Sequence, residues 1–128
     1  MHTPTLAVCA TGALLAATAG SVALAADDAE AAAELRREIA ALIGDARCNN
    51  LVNCRVLALG TRACGGPDEY VAYSVWSTSG EDVRAKAMEY NFLHEDLVAR
   101  RAQAGSCEVL PEPRAACVNR RCVTVPAQ

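Results

Sequence analysis

Four kinds of side chain in this sequence could carry chemistry: cysteines, a histidine, adjacent acids, and arginines set beside cysteines. The cysteines weigh most. Cys9 stands in an uncharged N-terminal stretch, while Cys48, Cys54, Cys64, Cys107, Cys117 and Cys122 occupy the rest of the 128 residues. There is no Cys-x-x-Cys, no His-x-x-x-His and no phosphate-binding glycine loop, so thioredoxin-like redox, simple zinc and nucleotide sites lack their usual spacing. Cys117-x-x-x-x-Cys122 could act as a metal clip, but an even set of cysteines in an exported chain reads as disulfides. The expectation is therefore no metal and no cofactor, with the pairing of the six left open.

His94 follows the same logic. With Glu95 and Asp96 beside it and only His2 as a second histidine, it is a weak metal or acid–base candidate, and a histidine on a helix surface explains it more simply. The acid pairs Asp68-Glu69, Glu81-Asp82 and Glu95-Asp96 make no hydrolase dyad by adjacency, because neighbours point apart on a strand and lie about 100° apart on a helix. No Ser/His/Asp triad can be named. The sequence predicts a non-enzymatic protein, with an unfamiliar enzyme using His94 as the catalytic alternative.

Arg55 and Arg62 lie just inside Cys54 and Cys64. If those cysteines are anchored, the segment becomes a constrained loop offering basic side chains, as in protease inhibitors, where tethered ends lower the ordering cost of binding. The plainer reading is a solvated surface loop. Arg120 and Arg121 form a second basic tip, which trypsin-like enzymes could also nick. Tyr70 and Trp76 share one face of an expected strand and could form an aromatic patch, although aromatics are scarce enough that at least two of Tyr70, Tyr73 and Trp76 are expected in the core. The interaction candidates are thus Arg55, Arg62, Tyr70, Trp76, Arg120 and Arg121.

These residues need a scaffold, and the chain signals one. Residues 1–26 contain no Asp, Glu, Lys or Arg, and Ala23-Leu24-Ala25 offers a small-residue cleavage pattern, so residues 1–25 read as a signal peptide and 26–128 as a single disulfide-rich domain. An uncleaved anchor is the alternative for the apolar run, weakened by its Thr, Gly and Ser; lipidation at Cys9 is disfavoured by the bulk of Val8 and the short apolar segment before it. Asp27-x-x-Glu30 resembles a capping box opening a helix that runs to Ile43, with Gly44 as its stop and Leu35, Ile39, Leu42 and Ile43 as its apolar stripe. Val56–Leu59 reads as a short strand ended by Gly60. Gly65-Gly66-Pro67 forces a turn after Cys64, and Tyr70–Trp76 reads as the main strand.

Thr78-Ser79-Gly80-Glu81 and Ser79-Gly80-Glu81-Asp82 both carry capping-box spacing, opening a second helix to about Ala104 with Val83, Ala87, Tyr90, Leu93 or His94, and Leu97 on its apolar side and Gly105 as its stop. Cys107–Leu110 reads as a strand broken by Pro111 and Pro113. A hairpin follows, turning at Asn119-Arg120, with Cys117 facing Cys122 and able either to bridge to it or to join another element such as Cys107 or Cys64.

The motif Cys64-Gly65-Gly66-Pro67-x-x-Tyr70-x-x-Tyr73-Ser74, with Cys54-Arg55, Ser106-Cys107 and the Cys117-to-Cys122 segment, resembles a group of small exported cysteine-rich bacterial proteins of unassigned function. The resemblance spans nearly all of the expected mature chain and implies a scaffold, with no activity, ligand or catalytic residue attached. The net charge of −3 is spread over interspersed acids and bases, which argues against nucleic acid as a partner. The reading is an α+β domain, two helices packed on a small, mainly antiparallel sheet and stabilised by disulfides. It would be secreted or periplasmic, without stable membrane insertion once the signal is removed, and would bind another exported protein or a small ligand.

Overall fold

The computed structural model describes residues 19–101 and 107–127. It is an α+β fold with two helices, two small antiparallel sheets and three disulfides. In chain order these are helix α1 (Ala19–Ile43), a short 3-10 turn (Leu51–Asn53), strands β1 (Cys54–Leu59) and β2 (Glu69–Ser74), helix α2 (Gly80–Arg101), and strands β3 (Arg114–Val118) and β4 (Arg121–Val125). Where one sheet was expected there are two hairpins, β1–β2 and β3–β4.

The β1–β2 hairpin is the middle layer. Cross-strand partners share a face, so the pairs Leu57↔Val71 and Arg55↔Tyr73 lie on one side, while Cys54↔Ser74 and Val56↔Ala72 lie on the other. Leu57, Leu59 and Tyr73 are buried with Ile39 of α1 and with Val83 and Ala87 of α2, and Leu42, Ile43, Val71 and Tyr90 pack around them. The opposite face meets the β3–β4 hairpin: Cys54, Cys122, Cys48 and Ala46 are buried there beside Ala72, Ala115 and Cys117. The two helices run antiparallel, as their ion pairs show: Asp28 meets Arg100 at 2.6 Å and Glu38 meets Lys86 at 2.8 Å. Hydrogen bonds to Glu38 and Glu89 hold the Lys86 ammonium above its ordinary range.

Helix α1 corrects the sequence reading at its start. It is already helical at Ala19 and continues through Asp27-x-x-Glu30, so no capping box operates there. Alanine-rich sequence on both sides sustains the helix through these acids, and Asp28 is spent on Arg100 instead. The expected leader lies outside the described residues up to position 18, including Cys9, and its remaining part is backbone continuous with α1. Among the described residues no helix is long and apolar enough to cross a membrane. The stop at Gly44 is as expected, with φ +52° and its N–H bonded to the Ala40 carbonyl at 2.9 Å.

Helix α2 opens on the second of the two capping patterns: the Asp82 N–H donates to Ser79 Oγ at 3.3 Å, and Glu81 and Asp82 sit in its first turn with Arg100 and Arg101 in its last. The proposed stop at Gly105 lies outside the described residues. Cys107–Leu110 is not a strand; it has no pairing partner, and Pro111 and Pro113 downstream remove the N–H groups a ladder would use. The 107–110 segment is held by the Cys64–Cys107 bridge and by Arg62 Nη1 donating to the Glu108 carbonyl at 2.8 Å.

The hairpin turn is as read, with Val118↔Arg121 and Cys117↔Cys122 in register. Those two cysteines do not bridge each other. Cys117 bonds Cys48 and Cys122 bonds Cys54, closing sequence separations of 69 and 68 residues, and each such closure removes about 4 kcal/mol of unfolded-chain entropy in the loop-closure description. The reason is packing: the hairpin lies against the cysteine-bearing end of β1 and the Ala46–Cys48 segment, which offers Cys117 and Cys122 partners on another layer.

Gly60, at the exit of β1, has φ +72°, and a Cβ there would lie 2.8 Å from Asp68 Cβ and 3.4 Å from His94 Cε1. Gly60→Ala is expected to cost about 2 kcal/mol or more in urea unfolding. Gly65→Ala, at φ +92° but with open space around the new Cβ, should cost less; equal losses would show that close packing at Gly60 contributes nothing.

Candidate functional site

The candidate site forms where three pieces of backbone converge. The β3–β4 turn supplies Asn119, Arg120 and Arg121. The segment after α1 supplies Asp45, Arg47 and Cys48, and the turn after β2 supplies Trp76; together they line a cavity of about 400 Å³. Backbone bonds fix the first two pieces to each other: Cys48 N–H donates to the Arg120 carbonyl at 3.0 Å, Cys122 N–H donates to the Ala46 carbonyl at 2.9 Å, and Arg47 pairs with Arg121 in an antiparallel bridge. Trp76 is placed by Ser74, the one buried polar side chain of the described residues, whose Oγ accepts from the Trp76 N–H at 3.2 Å. The indole is left 58 % exposed.

The charge of the cleft is positive. Three arginines face one acid, Asp45, which is shared between Arg47 at 3.5 Å and Arg121 at 3.2 Å. Arg120 has no ion-pair or hydrogen-bond partner for its guanidinium among the described residues. It also occupies an unusual backbone position: Asn119 and Arg120 both have positive φ, +50° and +63°, as a two-residue hairpin turn of this hand requires. Asn tolerates that region, whereas the second position is ordinarily glycine, so an arginine there carries strain of the kind found at ligand-binding points.

Of the six interaction residues read from the sequence, Trp76, Arg120 and Arg121 meet in this cleft. The other three do not. Arg55 lies on β1 opposite Tyr73, and its Nη1 donates to the Val52 and Cys54 carbonyls, both at 2.9 Å. The Cys54–Cys64 stretch is therefore a strand followed by a short loop, with its cysteines bonded to Cys122 and Cys107, not one constrained loop. Arg62 is on that loop, but its guanidinium turns to Asp68 at 3.7 Å and to the Glu108 carbonyl. Tyr70 is half-buried opposite Ala58, and of the aromatics expected in the core from this strand only Tyr73 is buried. Sequence reading missed Asp45 and Arg47. Their only signal was adjacency to Cys48, and that becomes informative only once Cys48 is known to join the hairpin.

His94 sits in a separate cluster. Its Nδ1 accepts from the Thr61 N–H at 3.1 Å, its Nε2 faces Asp68 Oδ2 at 3.5 Å, and its ring lies 5.4 Å from that of Tyr90. Both ring nitrogens are thus occupied within the chain, and Asn91 beside it is bonded to Gly60 N–H and to the Ala58 carbonyl. This geometry suits holding the exit of β1 against α2; an acid–base role would require one nitrogen to give up its partner.

Tyr90 in this cluster has its phenol pushed above the ordinary 10.0, first by burial, then by the charge of Glu69 and Asp68, with Arg36 opposing. The unfolded chain gives up that proton at a lower pH than the folded one, so stability falls as pH rises above about 10. Thermal melts should show Tm dropping through this range, and Tyr90→Phe should drop less steeply; identical slopes would remove Tyr90 from the linkage. No protein-family model, curated protein or solved structure matches this chain.

Proposed function

We propose that the chain is an exported, non-enzymatic binding protein whose Trp76–Arg120 cleft takes an acidic ligand with a flat apolar face, best exemplified by a carboxylated sugar unit. Residues 1–25 act as the export signal in this reading, and the mature domain works in the periplasm or the medium. The three disulfides suit an oxidising compartment of that kind.

The observation that carries the proposal is Arg120: an unpaired guanidinium on a strained, positive-φ residue, beside an exposed indole. The indole face stacks on the C–H face of a sugar ring, and a guanidinium receives the carboxylate in a two-pronged hydrogen bond. A cavity of about 400 Å³ is at the small end of ligand sites, matching a short acidic unit or the end of a chain.

Trp76 is the only tryptophan, so its fluorescence reports on the cleft directly. Titration with a glucuronate-containing oligosaccharide is expected to give a saturable change, weakened by salt and absent with the neutral counterpart. Arg120→Gly should lower affinity about tenfold while raising stability by about 1 kcal/mol through relief of the turn. No response to the acidic saccharide, or a response that Arg120→Gly leaves intact, would refute the assignment; a response to an acidic peptide alone would move the ligand class to protein.

A further inference from the structure

Helix α2 turns Val83, Ala87 and Leu97 inward, and its outer side carries two large apolar residues one turn apart. Met88 is 72 % exposed, and Phe92, the only phenylalanine of the chain, is 79 % exposed. Ala85 and Ala99, also exposed, extend the stripe along the helix. Single surface apolars need no explanation, but a Met–Phe pair at i,i+4 between small residues has the pattern of a helix that docks on another. We propose that this face pairs with the same face of a second copy of the chain, the two α2 helices running antiparallel about a two-fold axis.

Charge complementarity identifies the occupant. In a two-fold pair centred between Met88 and Phe92, Met88 of each copy lies level with Phe92 of the other, and Arg84 lies level with Asp96 and within one residue of Glu95. At about 100° per residue, Arg84 and Glu95 both fall about 40 to 60° to the same side of the line midway between Met88 and Phe92. Such an axis brings same-side residues together, so Arg84 of one copy meets Glu95 of the other, and the contact is made twice. Within its own chain the Glu95 carboxylate has no ion-pair or hydrogen-bond partner among the described residues. Arg84 spends one N–H on the Tyr73 hydroxyl at 3.3 Å, leaving the rest of its five donors. On the opposite side of the stripe the charges are already matched within each chain: Asp96 is bonded to Arg100, and Glu89 pairs with Lys86 at 3.3 Å. A second copy supplies this arrangement by symmetry.

Helix α2 has 22 residues, about 33 Å of length, so one helix laid on its copy is a contact at the small end for dimers, and the pairing is concentration-dependent. The face belongs to the helical layer, across the β1–β2 layer from the β3–β4 hairpin. Each pair therefore carries two copies of the hairpin-side cleft, and the pairing itself does not rest on what that cleft binds.

The test is sedimentation equilibrium of the full chain, with its three bridges formed, over a range of concentrations. The expected result is a monomer–dimer equilibrium whose dissociation constant Phe92→Asp raises about a hundredfold, because each substitution enters the interface twice. Arg84→Glu and Glu95→Arg should each weaken pairing about tenfold, and the double variant Arg84→Glu/Glu95→Arg should restore it. That restoration can only arise between copies: the two positions are three helical turns apart within a chain, and the double variant lacks the Tyr73 bond just as Arg84→Glu does. A chain that stays monomeric at millimolar concentration, an association that Phe92→Asp leaves intact, or a double variant no tighter than its single parents would overturn the inference.

Discussion

The β3–β4 hairpin is tied to the rest of the chain by the pair of bridges to Cys48 and Cys54, with the backbone bonds to Ala46 and Cys48 beside them. A two-stranded hairpin is marginal in water by itself. Here one face is pressed against Ala72 and Cys54 of the middle layer and Ala46 of the segment after α1, an area that, apart from Ile43, is built from small side chains burying little apolar surface. Covalent closure substitutes for that missing area. Asn119 and Arg120 can therefore hold a left-handed turn without glycine, because the strands they join are already anchored from outside.

The helical side rests on ordinary burial. Ile39, Leu59 and Val83 are fully enclosed, and the ion pairs Asp28–Arg100 and Glu38–Lys86 lie across the antiparallel helix pair. This division into an aliphatic half and a sulfur-laced half explains why a chain with so few aromatic residues forms a domain. It also bears on the distribution of candidate chemistry: His94, Asp68 and Asn91 are consumed in fastening the aliphatic half, while Arg47, Arg120 and Arg121 meet in a cleft at the sulfur-laced half.

What was legible in the sequence was local. The stripe Leu35, Ile39, Leu42, the stop at Gly44, the Ser79 cap of α2, and the Asn119-Arg120 turn each follow from residues within a few positions of one another, and each is present. The start of α1 was misread because a capping pattern inside an alanine-rich run competes with simple continuation of the helix, and continuation won. Cys107–Leu110 has strand-forming residues but no strand to pair with, which only the fold reveals. Pairing of the cysteines is long-range by nature, and the site inherits that limit: Trp76, Arg120 and Arg121 could be selected by type, yet their meeting with Arg47 and Asp45 depends on which layer the hairpin joins.

The separations of 69 and 68 residues spanned by the two central bridges have a consequence for biogenesis. Cys48 and Cys54 emerge early in synthesis and their partners late, so neither can close until Cys117 and Cys122 have been delivered to the same compartment. Until then the first cysteines are exposed thiols without native partners, and Cys64 is in the same position with respect to Cys107. The last hairpin made is thus the part that locks the first cysteines in place.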